Sequence, residues 1–394
     1  MPTGAPLELH PSVGVTEEYT DNFELRRDKR SNWRTSVSPG LTLLLRHGPT
    51  DGWLTYQPAG SHDTVSDEFN LFHSLAGAVR WLATPRLTFT LSETLTRSDE
   101  AARADRLALR RERRTFTSNA FSLQGDHVVR NLGTRGYYRL STFSDSERGD
   151  TISHAAGTSA TATLYETNSG TVGYEYLDSS TAEGQDIRGH QLAVTLARQL
   201  TSLATAGVSG SYQLRSASGV GARDFDSWNA AVFGGYGIPG LWALSASVGV
   251  SRLSDDGRDD RFTVSSTTGF TYEFARAKAT LGLERGFSET FREGQNFGVV
   301  ETQGVTASLT YPFPPALLTR LFAEYRENKT TGIGIDPGVG TRRRENAWTV
   351  GFDASVRLLE WLEMVLAASH RELDAPSPDG YTENRVRVSL GARF

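Results

Sequence analysis

The stretch Tyr381-Thr-Glu-Asn-Arg-Val-Arg-Val-Ser-Leu-Gly-Ala-Arg-Phe394 alternates between two kinds of side chain. Asn384, Val386, Val388, Leu390, Ala392 and Phe394 share one phase; Arg385, Arg387, Ser389, Gly391 and Arg393 share the other. Successive side chains of an extended strand point to opposite faces, so one face meets an apolar surrounding and the other meets water. A soluble core satisfies the first face. So does lipid around a transmembrane barrel, whose charged face then lines a wet lumen. One strand leaves both open; its repetition along the chain decides.

The alternation recurs from end to end. Leu7, Leu9, Val13 and Val15 form the first apolar set, followed by Trp33, Val37, Leu41, Leu43 and Leu45. Phe69, Leu71, Leu75, Val79 and Trp81 continue it, and Trp242, Leu244, Ala246, Val248 and Val250 repeat it far downstream. Many runs approach the ~9–11 residues that a tilted strand needs to cross a bilayer. Ordinary globular strands average about five or six. Length therefore favours lipid.

Connections alternate in kind as well. Short ones are expected at Ala83–Arg86, Asn168–Gly170, Thr201–Leu203, Gly237–Gly240, Ala275–Arg276 and Pro312–Pro315. Longer polar ones intervene, among them Asp21–Lys29, Ser98–Arg113, Ser216–Arg223, Ser288–Asn296 and Asn328–Arg344. Short periplasmic turns and long extracellular loops are the asymmetry of an outer-membrane barrel. Aromatics gather at both strand ends, with Trp81, Tyr236, Trp242, Phe274, Tyr311, Trp361 and Phe394 at the turn side. Tyr19, Trp33, Tyr176, Tyr212, Trp228, Phe262, Tyr325, Trp348 and Tyr381 stand at the loop side. Two such belts are expected where amphipathic rings sit at headgroup level. Blade motifs of a β-propeller are not found. We expect residues 1–394 to form one antiparallel transmembrane β-barrel of 18–20 strands, with Val128–Ser153 the least patterned part.

Composition agrees with this class. Hydrophobic residues are 38% of 394, and mean hydropathy is −0.39, low for an enzyme with a large core. No run of about 18 apolar residues exists, which excludes helical spans but not strands. Zero cysteines exclude disulfides and thiolate metal sites, and a net charge of −5 argues against nucleic-acid binding. Thirty-nine glycines suit many turns and a small-residue lumen. Met1–His10 lacks a basic n-region and an apolar h-region, so no signal peptide is visible; an outer-membrane location is expected despite this. The segment Arg357–His370 also fits helical spacing through Leu358, Trp361, Leu362, Val365 and Leu366. An even strand count favours reading it as a strand, with Leu362, Met364, Leu366 and Ala368 outward and Glu363 inward.

The inward phase carries the functional information. Besides Ser, Thr, Gly and Ala it includes Glu8, His10, Arg34, Arg46, Arg80, Gln191, Asn229, Lys278, Glu284 and Arg357. Arg320, Glu324, Arg326, Asp353, Arg385, Arg387 and Arg393 are the candidate lumen-lining set. Charges of this kind either neutralise one another in ladders or, with an arginine excess, guide a polar solute. Catalytic patterns are weak: histidines are scattered, and Gly207-Val-Ser-Gly-Ser211 lacks the strand-to-helix context of a nucleophile elbow. His190 and His370 stand at strand ends suited to a rim hydrolase but without a nameable partner. Asp255, Asp256, Asp259 and Asp260 lack the alternating ligands of a calcium loop, and Gly332–Gly340 precedes no helix. No metal or cofactor is expected. The Arg103–Arg114 cluster and Arg342–Arg344 could meet anionic lipopolysaccharide.

Two pieces go beyond a generic barrel. Glu18-Tyr-Thr-Asp-Asn22 is followed by Ser31-Asn32 and then Val37-Ser-Pro-Gly-Leu41. This resembles the opening of outer-membrane β-barrel porins often encoded beside exopolysaccharide, capsule or exosortase gene clusters. Asn32 stands where that resemblance leads one to expect an acid. The resemblance implies a channel or export component for a hydrophilic solute, linked to polysaccharide secretion. A general diffusion porin, a barrel hydrolase and a structural or adhesive barrel are the alternatives. It also implies as partners outer-membrane lipid and lipopolysaccharide, the barrel-assembly machinery and periplasmic polysaccharide-export proteins. Phe394 resembles the aromatic carboxy terminus read by the assembly machinery. Deleting Phe394 from a chain supplied with an export signal is expected to lower membrane-inserted protein severalfold; membrane fractionation showing normal insertion would remove that role.

Overall fold

The computed structural model describes residues 6–100, 113–145, 149–182, 186–219, 223–255, 260–274, 276–289, 298–313, 316–331, 344–375 and 380–394. The strands are β1 Leu7–Thr20, β2 Asn32–His47, β3 Thr50–Asp63, β4 Glu68–Thr84, β5 Leu87–Ser98, β6 Phe116–Val129, β7 Leu132–Asp145, β8 Gly149–Leu164, β9 Asn168–Thr181 and β10 Asp186–Thr201. They continue as β11 Ala204–Ser218, β12 Phe225–Ile238, β13 Trp242–Asp255, β14 Arg261–Phe274, β15 Ala277–Glu289, β16 Val299–Phe313, β17 Leu317–Thr330, β18 Arg344–Leu359, β19 Leu362–Asp374 and β20 Tyr381–Arg393. Every strand pairs antiparallel with its sequence neighbours, and β1 pairs with β20 from Ser12↔Arg393 to Thr20↔Arg385. The sheet is thus a closed barrel of twenty strands with no free edge.

Strands run 12–17 residues, longer than the spans expected, because their loop-side ends continue as polar β-structure. There the outward surface turns from apolar to ionic, as in Arg188–Asp178 and Arg252–Asp260. Below that level the outward phase is Val, Leu and aromatic residues, an exposed apolar band that only lipid satisfies. Outward rings pair across neighbouring strands at the turn side, Trp81 with Phe89 at 5.7 Å, Tyr236 with Trp242 at 5.2 Å and Trp361 with Phe394 at 6.0 Å. At the loop side Tyr19 meets Trp33 at 5.1 Å. Tyr381 departs from its expected belt position. It is only 3% exposed and packs inward with Leu25, Ala347, Leu373 and Ala375.

The ambiguous segment resolves into two elements. Arg357–Leu359 ends β18, Glu360 and Trp361 form a turn, and β19 begins at Leu362. Glu363 faces inward and accepts a hydrogen bond from Ser355. The helical spacing arose from reading across that turn. Val128–Ser153 similarly splits at Arg130-Asn131, where Arg130 takes φ 53°. The turn expected at Asn168–Gly170 lies instead at 165–167, so Asn168 opens β9.

The opening motif closes the barrel. Thr20 Oγ1 donates to Glu383, and the backbone amide and Nδ2 of Asn384 both donate to Asp21 at 2.7 Å. Asn22, fully buried, donates to the Thr382 carbonyl and bridges both backbone groups of Arg26. The residues that carry the resemblance therefore stitch β1 to the top of β20. Asn32 donates to Asp63 at 2.7 Å and accepts from Thr64 and Val65. An acid there would face the Asp63 carboxylate, which explains the amide. The β2–β3 pairing lapses between Val37↔Gly60 and Leu41↔Tyr56, where Pro39 and Pro58 offer no N–H.

Inward glycines let neighbouring strands approach. A Cβ on Gly249 would strike the Ala230 carbonyl and the Ala231 side chain, whereas one on Gly136, which faces outward, would meet open space. Gly249→Val is expected to abolish the heat-modifiable folded band in gel electrophoresis, and Gly136→Ala to keep it. Equal behaviour of the two would contradict this packing.

Candidate functional site

Among the described residues, the lumen narrows at the loop end in two places. On one side, the described ends of the β5–β6 connection turn inward and cross to the seam. Arg34 on β2 is clasped by Asp63 on β3 at 2.8 Å and by Asp99 at 2.5 Å. Arg113 meets Glu383 at 2.9 Å and lies 3.9 Å from Glu18 and from Glu100. Arg385 reaches Glu100 at 2.6 Å and Glu383 at 3.0 Å. The Phe23 ring lies beneath both Arg34 and Arg113, at 5.5 and 5.1 Å. These contacts link β1, β2, β3 and β20 to the connection after β5, so Asp99, Glu100 and Arg113 act as a strap inside the barrel.

Buried charges persist only where paired. Burial alone would raise the Glu100 carboxyl, but the Arg385 and Arg113 guanidinium groups hold it well below the usual carboxylate range. Arg34, Arg113 and Arg385 face Glu18, Asp63, Asp99, Glu100 and Glu383, and Arg371 adds its charge beside Glu100.

About a quarter of the barrel from the seam, the loop-end tips of β15 and β16 also bend inward. Phe287 and Val299 pack on Ile187, Phe225 and Leu253, inward residues of β10, β12 and β13. Arg215 on β11, wholly buried, donates to Glu289 at 3.1 Å. The β14–β15 pairing stops at Ser266↔Arg285, which frees this tip to leave the wall.

The candidate residues take different places. Arg320 and Asp353 are register partners and bond at 2.9 Å. Arg326 joins Glu284 at 2.7 Å and Glu324 at 3.1 Å, forming a ladder across β15 and β17. Arg385 is engaged in the strap rather than standing along a bare wall. Arg387 lines a 360 Å³ cavity beneath the strap together with Glu18, Arg34, Gln57 and Glu100. Arg393 and Phe394 border a 650 Å³ cavity at the turn end with His10, Thr42 and Gln57. Glu18, Asp63 and Glu383 escaped the sequence reading although their inward phase was available. Asp99, Glu100 and Arg113 carried no such signal, because a loop has no phase.

Other sequence candidates disperse. His190 bonds the Tyr174 hydroxyl at 2.7 Å, and His370 bonds Asn384 at 2.7 Å, both on the outward surface. Among the described residues no group of three or more histidines or acids is placed to hold a metal ion. Residues 256–259 and 332–340 lie outside the described residues, as do 101–112 and 342–343 from the two basic clusters. Arg344 pairs with Glu327 at 2.7 Å, while Arg113 points inward.

No protein-family model and no curated protein matches this chain. Solved structures do. The ferric enterobactin receptor mutant R480A of Pseudomonas aeruginosa superposes with a TM-score of 0.57 at 9% identity, covering 98% of this chain and 81% of that one. The FrpB iron transporter of Neisseria meningitidis gives 0.57 at 11% identity over the same shares. The outer membrane protein OpdK of Pseudomonas aeruginosa gives 0.47 at 11% identity, covering 98% and 99%. At such identities the likeness speaks for the fold alone: a closed all-β outer-membrane barrel.

A depressed carboxyl contributes stability above its unfolded value and loses it only as pH falls through the lower folded value. With unfolded Glu near pH ~4.3, the Glu100 contribution is expected to be intact from pH 7 to about pH 5. Arg385→Ala leaves acids facing one another and is expected to cost about 3–5 kcal/mol, read as a lower heat-modification midpoint. Adding Glu100→Gln should recover part of the loss. A single mutant melting like the parent would show that the strap is not held by this cluster.

Proposed function

We propose that this barrel is an outer-membrane channel for a hydrophilic solute, and more specifically that it serves passage of an exopolysaccharide, a capsule chain or their fragments. One observation carries the channel reading: a closed twenty-strand wall encloses a polar, mixed-charge lumen, which is the construction of an aqueous conduit. The polysaccharide cargo rests on the resemblance of residues 18–41 to barrels encoded beside polymer-secretion genes. Solutes would pass between the strap and the β15–β16 tip, the inward features that narrow the bore among the described residues. Ladders such as Arg320–Asp353 keep the remaining wall near charge balance. A general diffusion porin is the second reading, favoured by the same wall without a dedicated cargo.

Purified barrel in planar bilayers, alongside a deletion strain scored for surface polysaccharide, separates these readings. Stable conductance with loss of surface polymer supports the export reading. Conductance with unchanged polymer favours the porin, and neither effect would defeat both. Arg387→Glu reverses one charge on the cavity wall beneath the strap and is expected to shift ion selectivity toward cations. Unchanged selectivity would place the ion path elsewhere.

A further inference from the structure

Three inward rings stand at one level of the wall. Tyr137 lies five residues from the turn end of β7 at Leu132, Phe233 five from that of β12 at Ile238, and Phe322 five from that of β17 at Leu317. These strands are five positions apart in a ring of twenty, so the aromatics face the lumen at quarter-turn intervals. Each ring covers a glycine on an adjoining strand. A Cβ on Gly157 would collide with the Tyr137 ring, one on Gly207 with Phe233 and one on Gly351 with Phe322. An inward Cβ points at the lumen, so the end of each ring lies over the wall at its glycine, and all three rings are partly exposed.

Filling a gap above glycine requires only an apolar side chain; it does not require a planar one. Here the planar surfaces also carry polar neighbours. The Arg320 guanidinium stacks 4.9 Å from the Phe322 centroid, and that of Arg139 lies 5.9 Å from Tyr137. The Tyr137 hydroxyl donates to Glu175 at 2.5 Å. A pyranose has matching chemistry, with an apolar C–H face for an aromatic plane and hydroxyls or a carboxylate at its rim. We propose that Tyr137, Phe233 and Phe322 are stacking platforms for saccharide rings, with Arg139 and Arg320 swinging off the Tyr137 and Phe322 planes to meet the carboxylates of acidic sugars. This deepens the channel reading by naming wall residues that would hold a saccharide, and it rests on that reading for its role in transport. Quarter-turn spacing makes them separate, individually weak sites. Weak, repeated contact suits a conduit, since a solute held tightly would not leave.

Calorimetry on the folded barrel in detergent provides the test, using a hexamer of 1,4-linked uronic acid and a hexamer of 1,4-linked glucose. The parent is expected to bind both, the uronate more tightly and with salt sensitivity. Phe233→Leu and Phe322→Leu keep apolar bulk but lose the plane, and each should weaken binding by roughly twofold to tenfold. Tyr137→Phe keeps the plane and should retain affinity for the glucose hexamer, while Arg320→Gln should weaken only the uronate. Folding of each variant is read from heat-modifiable migration. No binding of either hexamer to folded parent, or equal affinity in both leucine variants, overturns the proposal. Binding with this mutational pattern but no bilayer conductance would instead leave the platforms standing and defeat the channel reading.

Discussion

Backbone hydrogen bonding is the constraint on which everything else depends. In lipid no water satisfies an exposed N–H or C=O, so a strand at a sheet edge is not tolerated. The barrel answers by pairing its first strand with its last, and the residues around Thr20, Asp21 and Asn22 secure that seam from the loop end. Closure then dictates the two-sided sequence. Alternate side chains must suit lipid outside and water or protein inside, and the apolar set of each strand follows from that demand.

A closed wall of twenty strands leaves a wide interior, and among the described residues it is narrowed by two chemically different means. The seam side uses ion pairs, with Arg34, Arg113 and Arg385 set among carboxylates. The β15–β16 tip uses apolar packing of Phe287 and Val299 on Ile187, Phe225 and Leu253. Desolvated charges are stable only when paired, which is why Arg385 cannot be considered apart from Glu100 and Glu383. Between these features, small residues and glycines keep the wall thin, and flat aromatics restore packing where a glycine leaves a hollow.

Legibility followed the period of two. Wherever alternation was strong, as in Leu7–Val15 or Trp242–Val250, strand and facing were evident, since each residue has only two faces to choose from. Errors fell where that rule weakens. At Glu360-Trp361 a tight turn joins two apolar runs and imitates helical spacing. At 165–167 a polar turn sits among polar strand residues and displaces the expected boundary. Tyr381 has the chemistry of a belt aromatic but the inward phase, and at the loop end the inward side is a packed core. Phase outranks residue type there.

Sequence alone determined the barrel, its antiparallel order and the asymmetry of turns and loops, and it put Arg320, Glu324, Arg326 and Asp353 in the phase opposite to the apolar set of their strands. These follow from local alternation and from connection length, which need no knowledge of distant contacts. Only the tertiary structure decided which inward charges meet. Glu100 reaches Arg385 across 285 positions of chain, and Thr20 reaches Glu383 across 363. It also decided that Tyr137, Phe233 and Phe322 share a level, because relative height depends on the register of many strands added around the circumference. A period of two says which way a side chain points; only closure of the barrel says what it faces.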